Sequence, residues 1–234
     1  MKLNHEYLVE LQSEIPNSFR TKMACDSLDI NIEEKSKHKL LIEGIKVPND
    51  WSIGLILGAS GSGKTTLAKE IFGDDCFDDT INESKPIIDQ LPKDLKYNDC
   101  ANLLSGIGLT SVPCWVRPVY TLSNGQKARA KAVLQMTKNK DISVIDEWTS
   151  VVDRQVAKVM SHCVQKFARR NKKKIVLCSC HYDILEWLNP DWVIDCNDQK
   201  FYNRDLKKKE KNNLSLLSKK SVKTHGGILA SIII

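Results

Sequence analysis

Two short stretches of this chain carry residue types and spacings suited to phosphate chemistry. Residues 58–65 read Gly-Ala-Ser-Gly-Ser-Gly-Lys-Thr, and residues 142–147 read Ile-Ser-Val-Ile-Asp-Glu. The first is a glycine-rich loop closed by a lysine and a hydroxyl, a pattern whose backbone N–H groups can surround phosphate oxygens. An apolar run, 53–57, precedes it and good helix formers follow through Phe72, so a helix N-terminus adds its partial positive charge to the loop. The spacing predicts that Gly58, Ala59, Ser60, Gly61, Ser62, Gly63, Lys64, Thr65 and Thr66 bind ATP, with Lys64 on the outer phosphates and the Thr65 hydroxyl on Mg²⁺. In the second stretch two carboxylates leave an apolar strand. Asp146 is then placed to hold Mg²⁺ through water, and Glu147 to act as general base or orienter of the attacking water.

A third stretch, Leu122-Ser123-Asn124-Gly125-Gln126, precedes the helical Lys127-Ala-Arg-Ala-Lys-Ala. Alone, it is best read as a serine-capped helix. In order between the phosphate loop and Asp146-Glu147, it resembles the signature of the ATP-binding-cassette (ABC) ATPases, with Asn124 where that family has Gly. Asparagine tolerates left-handed backbone, so the change is mild. The resemblance implies that Ser123, Asn124, Gly125 and Gln126 contact ATP bound to the opposite subunit of a homodimer. It implies that Asp153, in Ser150-Val-Val-Asp153, lies at the dimer seam, and that His181 is a switch histidine on the γ-phosphate. It makes Gln90 the glutamine that touches Mg²⁺ and the attacking water. The implied catalytic set is Lys64, Glu147 and His181, and the implied magnesium set is Thr65, Gln90 and Asp146. The sequence departs from the family at Trp148, where Pro is usual, and it lacks a clear adenine-stacking aromatic, His38 and Trp51 being the nearest candidates.

The elements that must position these residues alternate between strand and helix, which argues for an α/β fold with a mainly parallel sheet. With the motifs, the fold class expected is a P-loop NTPase of the ABC nucleotide-binding type with a shortened helical subdomain. Residues 24–47 read as strand, with Leu28, Ile30 and Ile32 alternating, and 53–57 as a buried strand. Residues 86–90 read as a strand edge, 98–109 as helix, and the segment between Pro113 and Pro118 as loop. Further on, 126–136 and 155–168 read as helices, 142–145 and 175–180 as strands, 184–188 as helix and 192–195 as the last strand, which completes the sheet. The domain organisation expected is an N-terminal extension at 1–23, the ATPase domain at 24–203 with a helical insertion at about 80–121, and a basic, disordered tail at 204–234.

Bulk properties set the class. The 234 residues are 41% hydrophobic and 27% charged, ordinary for a globular protein. No run approaches the roughly 18 apolar residues of a membrane span, and the N-terminus lacks the apolar core of a signal peptide. Eight cysteines at irregular spacings suggest reduced thiols in the cytoplasm, not a disulfide framework or a zinc site. Residues 204–223 hold eight Lys or Arg against two Asp or Glu, equal to the whole net charge of +6. That tail is either a nucleic-acid-binding element or a solvated extension. Lys64 and Ser123 stand 59 residues apart, a shorter interval than in transporter subunits, and residues 180–195 resemble soluble ABC ATPases that carry an acetyltransferase-like domain, a domain expected to be absent here. The function expected is a soluble ATP-driven clamp or switch hydrolysing ATP as a homodimer, with a protein partner that the sequence does not name. The alternatives are a membrane-transporter subunit and a nucleotide-gated nucleic-acid-binding module with little hydrolysis.

Overall fold

The computed structural model describes residues 7–12, 18–27, 37–78, 80–138 and 140–203. The tail at 204–234, and with it the nucleic-acid expectation, lies outside the described residues, as do Leu28, Ile30 and Ile32.

Five strands form one sheet in the order β4-β5-β3-β6-β7: β3 (Ile53–Leu57), β4 (Ile142–Ile145), β5 (Lys174–Ser179), β6 (Trp192–Asp195) and β7 (Lys200–Asn203). The first four are parallel and β7 is antiparallel to β6. A separate antiparallel pair joins β1 (Tyr7–Gln12) to β2 (Lys37–Ile42), with Tyr7 opposite Ile42.

The period-2 alternation of strand side chains divides the core into two layers. Ile53, Leu55, Leu57, Ile175, Leu177 and Val193 face one side; Ile56, Val176, Cys178, Trp192 and Ile194 face the other. The second side is covered by helix α2 (Lys64–Phe72) through Leu67, Ala68 and Ile71, and by Leu40 and Ile42 of β2. The first side is covered by α5 (Asn124–Thr137) and α6 (Arg154–Arg170), with α3 (Tyr97–Gly106), α4 (Pro113–Val116) and α7 (Ile184–Leu188) packed into the same cluster. Strands buried on both faces read as continuous apolar runs, which is why 53–57 and 142–145 were legible in the sequence.

The structure corrects several boundaries. Helix α1 (Phe19–Ser27) runs through residues 24–27, expected as strand, and across the expected boundary at 23/24. Residues 86–90 are not a strand edge: Pro86 makes a single bridge to Pro118, and Ile88–Gln90 is a 3₁₀ turn. The segment between the two prolines holds α4 rather than loop, because Pro113 sits at its first turn, where a missing N–H costs nothing. The sheet does not end at Asp195; β7 adds an edge strand, and Asp195 pairs with Lys200. The expected helices and strands at 126–136, 155–168, 175–180, 184–188 and 192–195 are present, with ends shifted by up to two residues.

Trp51 cannot stack on an adenine. It is 4% exposed and packs edge-on against Trp192 at 5.3 Å, while Phe72 and Phe201 stack on Trp192 at 6.1 and 6.4 Å. This aromatic cluster sits beneath β3 and needs Gly54, where an added Cβ would meet the Trp192 ring at 2.0 Å. His38 lies on β2.

Candidate functional site

The phosphate-loop residues connect β3 to α2, and the geometry is that of an anion cradle. Gly61 (φ 77°) and Gly63 (φ 89°) adopt left-handed backbone, which side-chain-bearing residues resist. Gly63 occupies the N-cap of α2 and no side chain caps that helix, so its first N–H groups are left for a ligand. The Ser62 hydroxyl is buried and has no hydrogen-bond partner. Lys64 folds over the loop, its Nζ donating to the carbonyls of Gly58 (2.9 Å) and Ala59 (2.6 Å). Open N–H groups, an orphaned hydroxyl and a movable ammonium together fit a polyphosphate.

Strand order brings the second motif to the first. β5 lies between β3 and β4, so the ends of three adjacent parallel strands place Gly58, His181 and Asp146 along one edge of the sheet. The Thr65 Oγ1 donates to Asp146 Oδ2 at 2.7 Å, and the backbone N–H of Glu147 donates to Asp146 Oδ1 at 2.8 Å. A hydroxyl paired with a carboxylate at a phosphate loop is a donor set that suits Mg²⁺.

The loop after β4 is held in unusual backbone. Glu147 (φ 52°) and Thr149 (φ 65°) are both left-handed, rare for a β-branched residue such as Thr149. What holds it is β5: the Trp148 N–H donates to the Cys178 carbonyl (2.7 Å), and the Ser179 hydroxyl donates to the Trp148 carbonyl (2.9 Å) and accepts from the His181 N–H (3.1 Å). The Thr149 hydroxyl and His181 Nδ1 are 3.5 Å apart. Trp148, the departure from the family pattern, is 2% exposed and its Nε1 donates to Ser161 of α6, so it anchors this loop in the core.

Thr65, Asp146 and Glu147 line a cavity of about 590 Å³ together with Lys69, Lys131 and Gln135. Gln90 does not reach it. Its Nε2 donates to the carbonyls of Asn82 (2.9 Å), Lys85 (3.1 Å) and Pro86 (3.2 Å), and its Oε1 accepts from the Asn82 N–H (2.8 Å). The Gln90 amide closes the 82–90 loop in this structure.

The third motif opens α5. Ser123 is its N-cap in a reciprocal capping box with Gln126: Ser123 Oγ accepts from the Gln126 N–H (3.3 Å), and Gln126 Oε1 accepts from the Ser123 N–H (3.0 Å). Asn124 is the first helical residue and does not use left-handed backbone. Ser123 and Asn124 are exposed, and a Cβ added at Gly125 would lie 3.4 Å from the Val151 carbonyl, so this helix end abuts the 150–153 segment. Asp153 caps α6, accepting from the Val156 N–H at 2.9 Å. Tyr120 (61% exposed) and Val151 (55%) flank this face.

Sequence reasoning missed Asn197. The turn between β6 and β7 braces the phosphate loop: Asn197 Oδ1 accepts from the Ala59 N–H (3.1 Å), and its Nδ2 donates to the Tyr182 hydroxyl (3.0 Å), which donates to the buried Asp195 carboxylate (3.0 Å). Burial, and then the Asp195 charge, raise the Tyr182 pKa well above the usual phenol value, so the hydroxyl stays a donor. No local motif marks Asn197; only the β6–β7 pairing brings it to residue 59. Asn197→Ala should weaken ATP binding about five-fold, since one loop-setting hydrogen bond is worth about 1 kcal/mol, with little change in the melting temperature. Titration with a fluorescent ATP analogue measures this.

No protein-family model matches the chain. Over 118 residues it is 26% identical to the ribosome protection protein VmlR of Bacillus subtilis (strain 168), a match that spans 42% of this chain and 21% of that protein. The fold is similar to an archaeal ribosome recycling factor in complex with a ribosomal stalk protein, with a TM-score of 0.56 and 18% identity, covering 67% of this chain and 34% of that one. It is also similar to a dimeric ATP-binding cassette in a post-hydrolysis state bound to ADP and Pi, with a TM-score of 0.53 and 13% identity, covering 71% of this chain and 92% of that one.

Proposed function

From the nucleotide-binding fold of an ABC-type ATPase, which this chain has, we propose that the protein binds ATP with Mg²⁺ and hydrolyses it at a homodimer interface, as an ATP-driven clamp or switch. The observation that carries this reading is the 2.7 Å hydrogen bond from Thr65 to Asp146, which joins two motifs 81 residues apart at one cavity edge.

In this reading the Gly58–Thr66 backbone and Lys64 hold the phosphates, and Thr65 and Asp146 hold Mg²⁺. Bound Mg²⁺ supplies Lewis-acid stabilisation of charge on the phosphate oxygens. Glu147, exposed at the cavity wall, orients and deprotonates the attacking water, and His181, two residues past the end of β5, serves as a donor to the γ-phosphate. The exposed Ser123–Gln126 helix end has no nucleotide within its own subunit to meet, which favours a second copy of the chain as its partner; Asp153 and the apolar Val151 and Tyr120 lie on the same face. Residues from α1 to β7 form the ATPase domain, with the short helical segment at about 80–121 as its helical subdomain.

Steady-state phosphate release by the full chain, with Glu147→Gln as control, tests the chemistry; equal rates in the two would remove Glu147 from it. Among the described residues no helix is long and apolar enough to cross a membrane. The transporter-subunit alternative predicts co-purification with membranes, the clamp predicts none. Two of the similar proteins are named for the ribosome, so ribosomal components are a partner class worth testing first.

Deleting everything after Asn203 should leave ATP affinity unchanged, because β7 ends there and the sheet stays whole. Nucleic-acid binding that disappears in this deletion and falls steeply with salt would assign the basic tail to phosphate contacts. Binding unchanged by the deletion marks the tail as a solvated extension.

A further inference from the structure

We propose that the groove between α3 and α6 receives an acidic amphipathic helix of a partner protein. The two helices leave between them an open cavity of about 660 Å³, which shares no lining residue with the cavity at Thr65 and Asp146. Its floor is apolar. Leu95, Leu103, Cys163 and Phe167 are half-buried against the core, and Val159 is 48% exposed. Gly106 lets the two helices approach closely, since an added Cβ there would lie 3.1 Å from Cys163 Sγ. Residues 159, 163 and 167 recur at helical spacing and form a ridge beside which a third helix can pack.

The walls are charged unequally. His162, Lys166 and Arg170 stand one turn apart along α6, and among the described residues Asp99 on α3 is the only lining carboxylate. Elsewhere on α6, Arg154 is paired with Asp183 and Arg169 with Asp191. Lys166 and Arg170 form no ion pair among the described residues. Uncompensated positive charge over an apolar floor selects an occupant whose carboxylates flank an apolar stripe. Asp or Glu at i and i+4 of a docked helix matches the spacing of Lys166 and Arg170, and its other edge meets Asp99 and Asn102. Charge argues against two other occupants. A second copy seated by two-fold symmetry would set this basic wall against itself. Residues 204–223, with eight Lys or Arg against two Asp or Glu, carry the same sign as the groove. A nucleic acid would meet an apolar floor in place of a continuous cationic track.

The test is fluorescence anisotropy of the full chain with two labelled peptides of about 18 residues, long enough to hold a helix. Both carry the same Leu stripe; one is flanked by Glu, the other by Lys. The Glu peptide should bind about ten-fold more tightly than the Lys peptide, and Lys166→Glu/Arg170→Glu should reverse that order. Val159→Ser should weaken the Glu peptide about five-fold through lost apolar contact. All three side chains are exposed, so these variants should keep the wild-type melting temperature. Lys166→Gln/Arg170→Gln, which removes the charge without reversing it, should abolish the preference and decides the matter if the double Glu variant unfolds. Equal binding of the two peptides by wild type, or a preference that survives loss of both charges, overturns the proposal. A single-stranded oligonucleotide that binds wild type and is lost in the double variant, where neither peptide binds, overturns it in favour of nucleic acid. No nucleotide is added, so each of these outcomes leaves the ATP reading standing.

Discussion

Glu147→Gln protein should bind ATP as tightly as wild type, release phosphate about 10²–10³-fold more slowly, and sediment as a dimer when ATP and Mg²⁺ are present. The amide keeps the size and hydrogen-bonding reach of the carboxylate but cannot take a proton from water. Glu147 is exposed, and nothing in the fold depends on it: its backbone, not its side chain, makes the bond to Asp146. The substitution therefore removes chemistry and leaves packing alone. With hydrolysis blocked, ATP stays between the Ser123 face of one subunit and the phosphate loop of the other, and the dimer accumulates. Analytical ultracentrifugation with and without ATP reads the second half of the result. A variant that stays monomeric at saturating ATP would sink the homodimer proposal. One that turns over at the wild-type rate would remove Glu147 from catalysis.

The second large effect concerns folding. Trp148→Ala should destabilise the protein by about 3–5 kcal/mol, lowering the melting temperature by roughly 10 °C for a domain of this size. The side chain is 2% exposed in the core, and its removal also strands the buried Ser161 hydroxyl. Trp148→Pro, which restores the residue usual in the ABC pattern, should also destabilise, because the Trp148 N–H donates to Cys178 at 2.7 Å and proline has no such donor. Trp148→Phe keeps most of the ring packing and loses only the indole bond, so its cost should fall near 1–2 kcal/mol. Thermal unfolding of the three variants separates packing from hydrogen bonding. A wild-type melting temperature for Trp148→Ala would show that this loop is not anchored as described. Because Glu147 precedes Trp148, the Ala variant should also lose turnover at temperatures where it remains folded.

The phosphate loop, the Asp146-Glu147 pair and the Ser123–Gln126 cap were legible in the sequence because each is a contiguous run whose chemistry depends on local backbone. Gly61 and Gly63 must supply left-handed conformations where they stand, and Ser123 must lie three residues before Gln126 for the capping box to close. The buried strands were legible for a related reason: burial on both faces writes an unbroken apolar run. Less legible was anything settled by competition between distant groups. Gln90 has the residue type and chain position for a metal contact, and in this structure three backbone carbonyls accept from its amide. Trp51 is an aromatic just upstream of the loop, yet burial against Trp192 removes it from any ligand.

The sequence by itself determined the glycine-rich loop, the parallel α/β plan and the order of the motifs, since these depend on local spacing and on the period of apolar residues. Only the tertiary structure decided which side chains share the cavity. Thr65 meets Asp146 because β5 sits between their strands, and Asn197 reaches Ala59 because β7 turns back on β6. Residues of α5, the start of α2 and the end of β4, distant in sequence, line that one cavity together. Strand order and helix packing minimise exposed apolar area over the whole chain, and no short window of residues contains that information.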